Sequence, residues 1–120
     1  MGTQLELTDT ILNYVRDNSL RESQLLQQLR EETHSIPEHS MQILPEQGQF
    51  IRFLVTLVQA KYALEIGVFT GYSSLCIAES LQQGGKLIAC DNSSEWTDIA
   101  RKYWKQAKLD DRIELRLDEA

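Results

Sequence analysis

Cysteine, histidine and proline are all scarce in this chain, with two of each among 120 residues. Cys76 and Cys90 have no CxxC spacing and no histidine beside them, so a zinc site is not indicated, and both read as small apolar residues for a core. His34 and His39 flank a loop with no third ligand in view, which argues against a metal there. No apolar run approaches the roughly 20 residues needed to cross a bilayer, and the N-terminus is polar rather than signal-like. The expectation is therefore a soluble, cytoplasmic protein with no membrane partner. Positive charge is also thin: 12 basic residues face 18 acidic ones, for a net charge of −6, and they form no uninterrupted patch. That excludes a nucleic-acid surface of the ordinary kind. Arg101, Lys102, Lys105 and Lys108 do cluster, but they alternate at helical spacing with nearby acids and read as a solvated helix face.

What is present is one small domain's worth of apolar residues, 42% of the chain. Ile11, Leu12 and Val15 predict a short amphipathic helix over 9–16. Ser19 and Glu22 make a capping-box pattern ahead of Leu25, Leu26 and Leu29, predicting a second helix that runs to about Thr33. These two helices either cover a partner or an active-site mouth, or simply pack on the core. Pro37 marks a connection, and Pro45 suits the first turn of a third helix to Gln59, apolar on most sides and hence expected to be largely buried. Strict alternation follows: strand 62–66, helix 72–83 stopped by Gly84 and Gly85, strand 86–90, a helix capped by Ser93 or Ser94 and reaching Lys108, and strand 112–117. Such alternation implies an α/β fold with parallel strands. The division expected is an N-terminal helical segment, 1–44, and the first half of a ligand-binding domain, 45–120. The first strand would have one unpaired edge, an association hazard unless another strand covers it.

The organising stretch is Tyr62 to Ser74, YALEIGVFTGYSS, a strand, a glycine turn and a helix start. Gly67 and Gly71 stand four apart, which is not the three-glycine dinucleotide pattern. Taken alone, such a turn occurs in α/β proteins of many functions. Its surroundings say more, because no Lys or Arg occurs from Tyr62 to Gly85, while Glu65 and Glu79 supply carboxylates. A pyrophosphate would meet negative charge without a cation to offset it. A positively charged ligand without phosphate fits better, and S-adenosylmethionine, with its sulfonium and ammonium, is such a ligand. Asp91, closing the next apolar run, stands where doubly wound folds hold a ribose diol.

Three segments, MQILPEQGQFIRFLVTLVQA, ALEIGVFTGYSSLCIAESL and GGKLIACDNS, together resemble the cation-dependent O-methyltransferases of the caffeoyl-CoA and catechol type, from about Met41 to Ala120. The resemblance implies the Rossmann-like fold of S-adenosylmethionine-dependent methyltransferases. Carried over by position, it implies that Glu65, Gly67, Val68 and Ser73 line the methionine end of the cosubstrate and that Asp91 holds the ribose. It further implies that Ile43 touches the cosubstrate through its backbone and that Ala120 lies beside the adenine. Glu46-Gln47-Gly48-Gln49 departs from the family's usual Asp-Glu-Gly-Gln, leaving the role of the second acid unfilled. The implied chemistry is methyl transfer to one hydroxyl of a small phenolic acceptor gripped by a divalent cation, Mg, Ca or Mn. The metal-binding acids and the base are expected beyond Ala120, so this chain carries no catalytic or metal residue and reads as the cosubstrate-binding half of an enzyme, with a homodimer as the implied assembly. The alternatives are a non-catalytic S-adenosylmethionine-binding module and an assembly element; a dinucleotide oxidoreductase is a weaker third.

Overall fold

The computed structural model describes residues 2–119. In chain order the elements are α1 (Asp9–Ser19), α2 (Gln24–His34), a short 3-10 turn (His39–Met41), α3 (Pro45–Leu57), β1 (Tyr62–Ile66), α4 (Tyr72–Ser80), β2 (Lys86–Asp91), α5 (Ser94–Gln106) and β3 (Ile113–Leu117). Local chemistry accounts for most of these boundaries. Thr8, Ser23 and Ser93 each place a side-chain oxygen on a free N–H of the first turn that follows, those of Ile11, Leu26 and Trp96. Pro45 opens α3, where its missing N–H has no partner to lose.

The three strands form one parallel sheet in the order β1-β2-β3. The inward residues Leu87, Ala89 and Ile113 meet Leu75 and Ala78 of α4, Ala100, Tyr103 and Trp104 of α5, and Leu26 and Leu29 of α2. One face of the sheet thus carries the core. On the other face Tyr62, Leu64 and Ile66 stay 65–71% exposed. Among the described residues nothing pairs with the outer edge of β1, as the alternation of strands and helices predicts.

Several expectations need correction. Ser23, not Ser19, caps α2. Ser19 instead ends α1, its hydroxyl bonded back to the Val15 carbonyl, and the Glu22 carboxylate accepts from Arg30 and Tyr72 rather than serving a capping box. Helix α3 is not largely buried: only Pro45 and Gly48 are, while Phe50, Phe53, Leu57 and Val58 are each more than half exposed. Its apolar girth exceeds what one neighbour covers, because it packs chiefly on α4. Helix α4 stops at Ser80, three residues early, because the chain turns so that the Gln82 N–H reaches the Ala60 carbonyl. Cys76 is buried as expected, its thiol pushed up to about 12 by burial, whereas Cys90 is only half-buried.

Candidate functional site

The loop between β1 and α4 bends through three residues of positive φ: Gly67 at +90°, Phe69 at +55° and Gly71 at +87°. The two glycines serve different ends. A Cβ on Gly67 would meet nothing within 4 Å, so that side of the backbone lies open to a ligand. A Cβ on Gly71 would fall 2.6 Å from the Ala100 Cβ and 2.8 Å from Trp104 Nε1, so its bareness lets α4 start directly against α5. Phe69 has no such excuse, since a non-glycine residue there costs about 1–3 kcal/mol and must be held in place. Its N–H donates to Asp91 Oδ2 at 2.8 Å, and its ring meets Trp96 edge-to-face at 5.1 Å.

Asp91 is the anchor of this loop. Oδ2 accepts from the N–H groups of Val68 (2.7 Å) and Phe69, and Oδ1 from those of Asn92 (2.7 Å) and Ser93 (2.9 Å). A carboxylate offers about four lone-pair sites, and all four are occupied. Burial alone would raise the pKa of Asp91, but the four backbone donors outweigh it and hold the group below the usual carboxylate value. A ribose diol at Asp91 would therefore share these oxygens with the loop amides.

Glu65 is placed by β1's alternation on the inward face, beneath the first turn of α4. Ser73 Oγ donates to Oε2 at 2.7 Å and Ser74 Oγ donates to Oε1. Burial pushes its pKa up, the two serines pull it back in part, and the charge of Asp91 adds to the rise. Two carboxylates thus stand at one glycine loop.

In front of the loop lies a cavity of about 570 Å³, lined by Met41, Ile66, Gly67, Phe69, Cys90, Asp91, Asn92, Trp96, Asp118 and Glu119. It has three acids and no Lys or Arg, an electrostatic setting suited to a cation. A smaller crevice of about 80 Å³ continues from it between Met41–Ile43 and the loop, reaching Val68 and Ser73. Of the residues expected at a cosubstrate site, Gly67 and Asp91 line the cavity; Ile43, Gly67, Val68 and Ser73 line the crevice; and Glu65 is bonded to Ser73. Ala120 lies outside the described residues. The aromatic pair Phe69 and Trp96 escaped sequence reasoning, although an aromatic inside a glycine loop was a visible signal. Asp118 and Glu119 escaped it too, because only the register of β3 beside β2 carries them to the rim. Among the described residues no group of three His, Cys, Asp or Glu side chains is arranged to hold a metal ion, and no helix is long and apolar enough to cross a membrane.

A sequence model described as O-methyltransferase matches residues 16–120. A mouse catechol O-methyltransferase domain-containing protein is 37% identical over 107 residues, 89% of this chain and 41% of that one. A probable caffeoyl-CoA O-methyltransferase of Dictyostelium discoideum is 36% identical over 118 residues, 98% of this chain and 51% of that one. The solved O-methyltransferase of Bacillus cereus in complex with SAH superimposes with a TM-score of 0.81 at 32% identity, covering 90% of this chain and 49% of that one. The chain spans about half the length of the curated relatives it matches. The fold is the Rossmann-like α/β layout expected, in its N-terminal portion.

Proposed function

Because the chain belongs to the O-methyltransferase family, we propose that it holds S-adenosylmethionine for methyl transfer to a hydroxyl of a catechol-like or caffeoyl-type phenol, as the cosubstrate-binding half of a cytoplasmic, homodimeric enzyme. The observation that carries this is the pairing of an open Gly67 with Glu65 and Asp91 at an acidic cavity that has no Lys or Arg in its lining. S-adenosylmethionine supplies a methyl group on a sulfonium sulfur, whose C–S bond breaks as the phenolic oxygen forms its C–O bond in line, the electron pair staying on sulfur to leave S-adenosylhomocysteine and the hydroxyl proton passing to solvent. Glu65 offsets the positive charge of such a ligand from behind the loop. Asp91 positions the loop amides, and the ribose hydroxyls share its oxygens with them. Ile66, Phe69 and Trp96 give the cavity its apolar wall and keep water from the adenosine. The divalent cation expected of caffeoyl-type members finds no ligand cluster among the described residues, and no step is routed through it.

The test is titration of S-adenosylhomocysteine into the 120-residue chain by calorimetry, without metal or phenol. Micromolar binding is expected, weakened tenfold or more by Asp91→Ala, since hydrogen bonds to charged groups contribute about 1.5–3 kcal/mol. Equal affinity in the variant removes Asp91 from the site, and no binding by a folded wild-type chain removes the proposal. A second reading, as an assembly element, is favoured by the open edge of β1.

A further inference from the structure

Behind the glycine loop runs a relay of side chains that joins the loop to α2. Thr33 in α2 and Thr70 in the loop are both 0% exposed, and their hydroxyl oxygens stand 2.8 Å apart. Thr33 also donates to the Leu29 carbonyl at 2.8 Å. A hydroxyl has one proton, so the proton between the two threonines belongs to Thr70, which donates to Thr33. Thr70 in turn accepts from Gln42 Nε2 in a longer contact of 3.4 Å. The direction is therefore set throughout: Gln42 to Thr70, Thr70 to Thr33, Thr33 to the backbone of α2. A second tie runs parallel to it, where the Tyr72 hydroxyl donates at 2.5 Å to Glu22, a carboxylate clamped by Arg30.

The first two members of this relay, Gln42 and Thr70, stand on the two walls of the crevice. Gln42 lies between Met41 and Ile43 on one wall, and Thr70 lies between Phe69 and Gly71 on the other. The wall that Thr70 carries must be held in place, because Phe69 sits at a positive φ that only its surroundings enforce. Asp91 and Trp96 hold it from the sheet and α5 side, and Thr70 ties it to α2. We propose that Thr70 is a positioning residue: its hydroxyl, anchored on Thr33 of α2 and receiving Gln42, sets the separation between the glycine loop and the Met41–Ile43 segment, and so the fit of the cosubstrate between them. This rests on the cosubstrate reading above. It also gives α2 a task beyond packing on the core.

The test compares Thr70→Val, which keeps shape and removes the hydroxyl, with Thr70→Ser, which keeps the hydroxyl, in the full 120-residue chain. Two quantities are read: affinity for S-adenosylhomocysteine, and hydrogen exchange without ligand at the amides of Gly67, Val68, Phe69 and Gly71, which are bonded to Cys90, Asp91 and Val68. Thr70→Val is expected to weaken binding about tenfold and to speed loop exchange by a similar factor, while Thr70→Ser stays within about threefold of wild type in both. If Thr70→Val does not fold, Gln42→Leu, altered only on the half-buried wall, decides the matter with the same pair of readings. Unchanged loop exchange in Thr70→Val, or Thr70→Ser as impaired as Thr70→Val, overturns the proposal. Should the wild-type chain bind no S-adenosylhomocysteine, the functional reading alone falls, and the exchange rates still decide whether Thr70 positions the loop.

Discussion

Glu65 and Asp91 are both carboxylates at one loop, yet the structure drives their pKa values apart. Asp91 receives four backbone N–H donors, which hold its pKa below the ordinary carboxylate value against burial. Glu65 has two serine donors against burial and a neighbouring negative charge, and its pKa lies above the ordinary carboxylate value. This difference was not legible in the sequence, where both read as acids at strand ends, because backbone donors leave no mark in it. It has a measurable consequence. A ligand bearing an ammonium favours ionised Glu65, so its affinity should rise as pH climbs through Glu65's raised pKa and level off above it, with a proton released on binding below that point. Asp91, with its lowered pKa, is already ionised throughout that window and adds no slope. Calorimetric titration of S-adenosylhomocysteine across the acid range should therefore show affinity increasing with pH, and Glu65→Gln should flatten the profile. A slope that survives Glu65→Gln would assign the titration to another group.

At the level of elements, periodicity and caps were legible where one local signal stood alone. Pro45 opened its helix and Ser93 capped α5. The start of α2 was not, because Ser19 and Ser23 both precede a leucine-rich run and local pattern does not choose between them. The choice is tertiary: Glu22, the residue that would complete a box with Ser19, is drawn to Arg30 and to Tyr72, the latter far along the chain. Ser23 is thus the working cap, accepting from Leu26 N–H at 3.2 Å. Ser23→Ala should cost about 1 kcal/mol of stability in urea unfolding. Ser19→Ala, at an exposed helix end where the hydroxyl only bonds back to Val15, should stay within about 0.5 kcal/mol of wild type. Equal losses in both variants would return the cap to Ser19.

For the whole molecule, the sheet's direction and the open edge of β1 followed from strands alternating with helices. What covers each apolar surface did not, because periodicity reports a face and not its partner. The radius of gyration is 15.3 Å, against roughly 13.6 Å for a compact domain of this length. The excess reflects α1, which buries no residue, and a sheet covered on one face. Along α3, Phe50, Phe53, Leu54 and Leu57 form an exposed stripe at helical spacing, and a tight turn leads from it into β1, where Tyr62, Leu64 and Ile66 are exposed beside an unpaired edge. Apolar side chains next to free backbone donors and acceptors favour pairing with a further strand, and charge at such an edge opposes it. The 120-residue chain should accordingly show an average mass that rises with concentration in sedimentation equilibrium. The double variant Phe53→Glu with Leu64→Lys should remain monomeric over the same range with unchanged helix content, because both side chains already stand mostly in water. Undiminished association in that variant would place the sticky surface elsewhere, and a monomeric wild type would mean that the exposed edge is tolerated alone.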